Sequence, residues 1–261
     1  MRNPQRGILC AGCPHRAAYL ALKEATRRKR GRVICGNAGC TAVGEVHPAA
    51  ATCPGGMDAL LPRYNQAVPT GGTVDEPAAP VCVHVAADLE VAADDAAERF
   101  AGLAAEGEIT LFAVMASSRR FLARDAVEEL GQRVLGLGAD TVVVLDPFDA
   151  IRCAEVLGSL LETPGVHGVI FASPCAQLQR GEGANEPVEI DRYTCVACHR
   201  CFQITACPAL SFAPPVYQVD PDACAGCDLC CNYCRTQVIY SPRSRMGVEE
   251  KSRARYAAAQ R

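Results

Sequence analysis

Residues 195–207 read CVACHRCFQITAC, and residues 224–234 read CAGCDLCCNYC. Each run opens on a triplet with two residues between successive cysteines: Cys195, Cys198 and Cys201 in the first, Cys224, Cys227 and Cys230 in the second. A more distant fourth cysteine follows each triplet, Cys207 ahead of Pro208 and Cys234 ahead of Arg235. Two intervening residues let a short turn aim three thiols at one centre, and the distant fourth can serve another. Paired CxxC motifs also bind zinc tetrahedrally. Zinc sites rarely add a third cysteine at the same spacing and almost never do so twice, so zinc is the weaker reading.

The spacing is that of two-cluster bacterial ferredoxins, where the first three cysteines of a run hold one iron–sulfur cube and the fourth holds the other. Applied here, Cys195, Cys198, Cys201 and Cys234 bind one [4Fe–4S] cluster, and Cys224, Cys227, Cys230 and Cys207 bind the second. The crossed fourth ligands tie the two halves together. There are two departures from the usual pattern. Five residues rather than three precede Cys207, which predicts an expanded loop near one cube. Arg235 stands where a proline usually follows the last cysteine and puts a positive charge beside a cluster. Either departure is placed to tune a potential. Cys231, next to Cys230, reads as a bystander thiol.

A chain of 261 residues, 49% of them hydrophobic, has room for one large domain and one small one. The net charge of −3 points neither to nucleic acid nor to an anionic membrane as partner. The basic run Arg27, Arg28, Lys29, Arg30 and Arg32 is local and reads as a solvated helix end. No apolar stretch approaches the length of a bilayer span, and the opening residues are too short and polar for a signal peptide. The 17 cysteines, so many at cluster spacing, argue for a reducing cytoplasm, in an anaerobe, rather than secretion.

Upstream of the cysteine runs the pattern alternates. Val33–Cys35, Val81–Ala86, Ile109–Met115, Thr141–Leu145 and Gly168–Ala172 are short β-branched runs expected of buried parallel strands. Helical patterns cover Arg16–Arg28, Asp94–Ala105, Arg124–Leu137 and Asp149–Glu162, with Asp149 placed to cap the last. The expected architecture is an α/β layer fold with a mainly parallel sheet and helices on both faces over residues 1–180. A small α+β two-cluster domain over 181–241 and a charged tail over 242–261 follow. The Pro/Gly/Thr-rich stretch 69–80 reads as the longest loop, and 181–187 as a linker. The tail reads as a helix packed on a partner or a frayed end.

Leu9–Arg16 reads LCAGCPHR, and Gly36-Asn37-Ala38-Gly39-Cys40, Asp146-Pro147-Phe148-Asp149 and Ser173-Pro174-Cys175-Ala176 follow in order. This succession, leading into the two cysteine runs, resembles the C-terminal part of the large subunit of indolepyruvate ferredoxin oxidoreductase. That family belongs to the thiamine-diphosphate-dependent 2-oxoacid:ferredoxin oxidoreductases, and the resemblance spans roughly residues 8–240. It implies the module that grips the cofactor's pyrophosphate through Mg²⁺, without the module that carries the activating glutamate. The pyrophosphate site itself departs from the family pattern. Ala87 precedes Asp88 where the resemblance calls for Gly-Asp, and Ala116-Ser117-Ser118 stands where it calls for a metal-binding asparagine. Glycine lets backbone approach a phosphate closely, and a Cβ there hinders it. The expectation is a persisting fold with no thiamine diphosphate, in which Asp88 caps a turn.

The resemblance also implies a third cluster, on Cys10, Cys13, Cys40 and Cys175, with Cys35 and Cys53 as rival ligands. A CxxC ahead of Pro14-His15 is a metal or redox spacing in its own right. Cys82 in a strand and Cys153 in a helix read instead as small buried hydrophobes. His15 near a cluster invites a proton-shuttling role, but with no partner evident His15 and Arg16 read as helix openers that hydrogen-bond nearby backbone. The functional expectation is an iron–sulfur electron-transfer subunit, not itself catalytic, working with other subunits of an oxidoreductase complex or a redox partner. Two alternatives stay open. One is a working 2-oxoacid oxidoreductase subunit whose missing module lies on another chain. The other is an enzyme with an unusual or open N-terminal cluster.

Overall fold

The β-branched runs form one parallel sheet of five strands: β1 (Ile34–Gly36), β2 (Val81–Ala87), β3 (Ile109–Ala116), β4 (Thr141–Leu145) and β5 (Gly165–Ala172). The structure, a computed structural model, describes residues 9–27, 34–36, 40–41, 81–102, 109–179 and 186–261. The basic residues beyond Arg27, the 69–80 stretch, Cys53 and most of the 181–187 linker lie outside the described residues.

The strand order is β1-β2-β3-β5-β4. The chain steps outward from β1 to β3, on to the edge at β4, then back to β5 between them. Right-handed crossovers put helices of opposite steps on opposite faces. So α1 (Pro14–Thr26) and α5 (Ala150–Leu160) share one face, where Tyr19, Leu22, Val83, Leu111, Cys153 and Phe171 are buried together. On the other face lie α2 (Asp88–Val91), α3 (Ala96–Arg99) and α4 (Arg124–Gly136), packed through Phe100, Phe112, Leu130 and Val134. Strands β2 and β3 are buried along almost their whole length, as central strands of a two-faced sheet should be. Asp149 caps α5, accepting from the Arg152 amide at 3.0 Å. The helix expected over Asp94–Ala105 is a single turn at Ala96–Arg99 within the described residues, and Gly102, at φ +81°, has left helical geometry.

Residues 189–240 hold two short antiparallel pairs. The first is β6 (Glu189–Ile190) with β9 (Ile239–Tyr240), and the second is β7 (Leu210–Ala213) with β8 (Val216–Val219). Between the pairs sit α6 (Arg200–Thr205) and α7 (Leu229–Asn232), around a small core of Val188, Leu210, Tyr217, Ile239 and cysteines. The residues beyond Ser241 form α8 (Val248–Ala259), which packs on this chain itself. Lys251 pairs with Asp228 at 2.7 Å, and Arg255 pairs with Asp146 while its guanidinium stands 4.5 Å over the Phe148 ring. Helix α8 therefore straps the cysteine-rich segment to the carboxyl end of β4.

Candidate metal centres

The two cysteine runs have the same backbone. Ala197 and His199 take left-handed φ of 48° and 63°, and Gly226 and Asp228 take 56° and 63° at the matching places. Each triplet thus folds as a tight turn opening into a short helix whose N-cap is His199 or Asp228. The first cysteine of each run is anchored alike, Cys195 N–H donating to the Asp191 carbonyl at 3.0 Å and Cys224 N–H to that of Asp220 at 2.9 Å. The longer spacer before Cys207 is not an expanded loop. Its extra residues lengthen the helix, so α6 runs Arg200–Thr205 where α7 stops after Leu229–Asn232.

The thiols gather in crossed quartets. Cys195, Cys198, Cys201 and Cys234 line one cavity of about 310 Å³, walled by Ile190, Val196, His199, Tyr217 and Ile239. The His199 imidazole meets the Tyr217 hydroxyl at 2.8 Å, which holds that wall in place. Cys207, Cys224, Cys227 and Cys230 line a second cavity of about 400 Å³. Its wall includes Ala11, Gly12 and Arg16 from the sheet domain. Burial pushes the Cys201 thiol up to about 11, and Cys234, Cys198 and Cys195 act on it in that order. Burial pushes Cys227 up to about 12, with Cys207 next among the causes, although the residue keeps some exposed surface. Cys230 is raised too, first by its hydrogen bond with Cys231 and then by burial, while Cys231 is lowered by that same bond.

Among the described residues, no three His, Cys, Asp or Glu side chains converge on a point fit for a single metal ion. The quartets instead ring cavities. A cube presents its irons at separate corners, so thiols serving it stand further apart than the ligands of one ion. An all-thiol donor set around a cavity fits an iron–sulfur cluster. Backbone donors already point at sulfur: Gly226 N–H at Cys224 (3.4 Å) and Val238 N–H at Cys234 (3.3 Å).

A third group of cysteines lies at the carboxyl edge of the sheet, where open α/β folds gather their sites. Burial raises the Cys40 thiol, and Cys175 and then Cys10 add to the shift. Burial pushes Cys13 up to about 12, and Cys40 also acts on it. Cys10 and Cys13, Cys40, and Cys175 are thus brought near one another from three separate segments. The Gln177 amide donates to the Cys10 sulfur at 2.9 Å, and the Cys175 N–H donates to the Ser117 carbonyl at 2.9 Å. Cys35 lies in β1 opposite His84. Cys82 and Cys153 are buried, as expected of small hydrophobes.

The carboxyl ends of β2 and β3 are tied by Asp88. Its buried carboxylate accepts from the amides of Ser117 (2.9 Å), Ser118 (2.8 Å) and Leu89 (2.7 Å). It is therefore a fastener between strands. His15 sits against the same corner, its Nε2 3.0 Å from the Ser117 hydroxyl, and burial pulls its pKa down to about 4, so the imidazole is neutral near pH 7.

Arg16 bonds nearby backbone at Leu9 and Cys10, as its sequence reading has it, but sequence reasoning missed that Gly12 and Arg16 join the sheet domain to the cysteine segment. Gly12, at φ +74°, lies so close to the second run that a Cβ there would stand 2.3 Å from that of Ala225. Arg16, 1% exposed, reaches the carbonyls of Thr205 and Ala206 just ahead of Cys207. The only trace of either in the sequence is an arginine on the apolar face of a helix.

No family profile and no solved structure matches the chain. Curated proteins do. Indolepyruvate oxidoreductase subunit IorA of Archaeoglobus fulgidus is 32% identical over 115 residues, 42% of this chain and 18% of that protein. The subunit IorA of Pyrococcus horikoshii is 33% identical over 119 residues, again 42% and 18%. That of Methanothermobacter thermautotrophicus is 30% identical over 114 residues, 44% and 18%. The chain spans less than a fifth of the length of the curated relatives it matches. Over about two-fifths of its own length, the chain is similar to part of indolepyruvate oxidoreductase subunit IorA, as its motifs suggest.

Proposed function

We propose that this chain is an iron–sulfur electron-transfer subunit of a larger oxidoreductase, built as a sheet domain (1–180), a two-cluster ferredoxin-type domain (181–241) and a C-terminal segment (242–261). One observation carries the reading: eight cysteines from two runs line two cavities in the crossed pattern, each cavity taking three thiols from one run and one from the other. Cys195, Cys198, Cys201 and Cys234 would hold one [4Fe–4S] cluster, and Cys207, Cys224, Cys227 and Cys230 the second. Cys10, Cys13, Cys40 and Cys175 would hold a third. A bound cluster supplies one-electron chemistry at a potential set by charge, burial and hydrogen bonds to sulfur. The chain's own part is to fix the sites, exclude water with Ile190, Leu210, Tyr217 and Leu229, and aim N–H donors at sulfur.

The partners in this reading are other subunits of the complex or a redox protein. Among the described residues no helix is long and apolar enough to cross a membrane. The cysteine content fits a reducing cytoplasm in an anaerobe. The test is iron and acid-labile sulfide per chain in protein purified without oxygen. About twelve irons would support three cubes, about eight only the two ferredoxin-type ones, and none would refute the reading.

A second reading draws on the relatives' printed name: a subunit of a working indolepyruvate oxidoreductase. Against a thiamine diphosphate site here stand the Cβ of Ala87 and the three amides that already occupy Asp88. Calorimetric titration with Mg²⁺ and thiamine diphosphate decides it, since saturable binding would favour the second reading.

A further inference from the structure

Arg16 is a buried cation set between two groups of thiols. Its Nη1 donates to the carbonyls of Thr205 and, at 2.8 Å, Ala206, which immediately precede Cys207. Its Nη2 donates to the carbonyls of Leu9 and, at 3.1 Å, Cys10, at the head of the N-terminal CxxC. One planar fork thus joins the loops that carry cysteines of two different quartets. The approach is tight on the same side, where Gly12 packs against Ala225 beside Cys224. Arg16 also forms part of the wall of the cavity ringed by Cys207, Cys224, Cys227 and Cys230.

Taking a guanidinium out of water costs several kcal/mol unless opposite charge compensates it. The carbonyl oxygens that receive its Nη hydrogens bring no net charge. Groups that act on Arg16 electrostatically include, in descending order, Cys207, Cys13, Cys227 and Cys10. All four are thiols of the two flanking quartets, which become thiolates when they ligate iron. Cysteines of the remaining quartet, Cys195, Cys198, Cys201 and Cys234, are not among these four.

We propose that Arg16 is a charge-bearing strut: it fixes the Cys10 turn against the Cys207 turn and raises the reduction potential of the clusters on either side of it. The proposal rests on the cluster reading above. Each cluster gains one electron and one negative charge on reduction, so a fixed cation in low-dielectric surroundings favours the reduced form. A strut of carbonyl contacts alone would leave potentials unmoved. Arg16 is a positioning and tuning residue, not a catalytic one.

The experiment is an anaerobic redox titration with dithionite, followed by electron paramagnetic resonance, on the full chain and its Arg16→Met and Arg16→Lys variants. Iron content of the unsubstituted chain tests the cluster reading separately. In Arg16→Met, the midpoint of the cluster on Cys207, Cys224, Cys227 and Cys230 is expected to fall by tenfold or more in the reduction equilibrium, 59 mV for one electron. The cluster on Cys195, Cys198, Cys201 and Cys234 should stay in place as an internal reference. Arg16→Lys keeps the charge and should hold the midpoint within that interval. The proposal is overturned if Arg16→Met keeps its iron with midpoints unchanged, or if all clusters shift alike. Should Arg16→Met lose iron, Arg16→Lys decides: a retained cluster at the original midpoint supports the proposal. A lysine variant that also loses iron, or shifts as far as methionine would, overturns it.

Discussion

The two halves of the cysteine segment share a backbone and differ in their surroundings. Around Cys195, Cys198, Cys201 and Cys234 the neighbours reach solvent, with Tyr193 86% and Val196 63% exposed. Around Cys207, Cys224, Cys227 and Cys230 the neighbours are Gly12, Arg16 and Leu229, which belong to or pack against the sheet domain. One fold of the chain therefore offers an outer site facing outward and an inner site pressed against the body of the protein. Identical local geometry does not give identical chemistry, because charge and water access are set by what lies beyond the turn.

Removing one ligand from each half tests this contrast most strongly. Cys227→Ser and Cys198→Ser are each expected to cost about four irons. Only Cys227→Ser should also lower the thermal unfolding midpoint of the loaded protein, since its site is part of the contact with the sheet domain. Equal midpoints in calorimetry would erase the distinction between inner and outer halves.

Alkaline pH gives the next effect. In the iron-free chain the Cys227 thiol stays protonated up to about 12, whereas its ordinary value is 9.0. The unfolded chain therefore ionises first. The stability this thiol contributes is complete below pH 9.0 and is lost as pH rises toward about 12. A shift of this size is worth up to about 4 kcal/mol. Denaturant titrations of the iron-free chain across that range should show a smaller loss in Cys227→Ala. If substitution leaves the pH profile unchanged, the inner thiol is not protected as described.

The smallest expected effect belongs to Arg235, next to Cys234 and exposed. Arg235→Ala should lower the midpoint of the outer cluster by less than tenfold in the reduction equilibrium, under 59 mV, and leave the inner one alone. Water screens an exposed charge far more than a buried one. A larger shift at the inner site would invert the assignment of the two halves.

Much of this was legible beforehand. The β-branched runs at Val81, Ile109, Thr141 and Gly168 all became parallel strands; at Val81, Ile109 and Gly168 burial on both faces leaves no polar alternation to confuse the pattern, whereas Thr141–Leu145 is a partly exposed edge strand. Cysteine spacing pointed to which thiols the fold gathers, since a two-residue step constrains a turn whatever surrounds it. The strap formed by Lys251 and Arg255 was not legible, nor was the fork of Arg16. Their partners, Asp228, Asp146 and the Thr205 and Ala206 carbonyls, are remote in sequence. Carbonyl partners leave no residue type to read at all. Of the helix expected over Asp94–Ala105, the described residues keep one turn that buries Ala96 and Phe100, and the left-handed Gly102 ends it despite the favourable alanines.

The longer spacer of the first run has a bearing on ancestry. One constant offset relates Asp191 to Asp220, Cys195 to Cys224, His199 to Asp228 and Leu210 to Ile239, so the halves read as a tandem duplication with an unchanged frame. Only the fourth cysteine breaks step: Thr205 holds the place that Cys234 holds in the second copy. Cys207 stands two positions later, so the stretch before it is longer by two and the stretch from it to Leu210 shorter by two. The last two of the longer spacer, Thr205 and Ala206, are the pair whose carbonyls receive Arg16. The two-position offset of Cys207 thus leaves, just ahead of it, the carbonyls that moor the cysteine segment to the sheet domain.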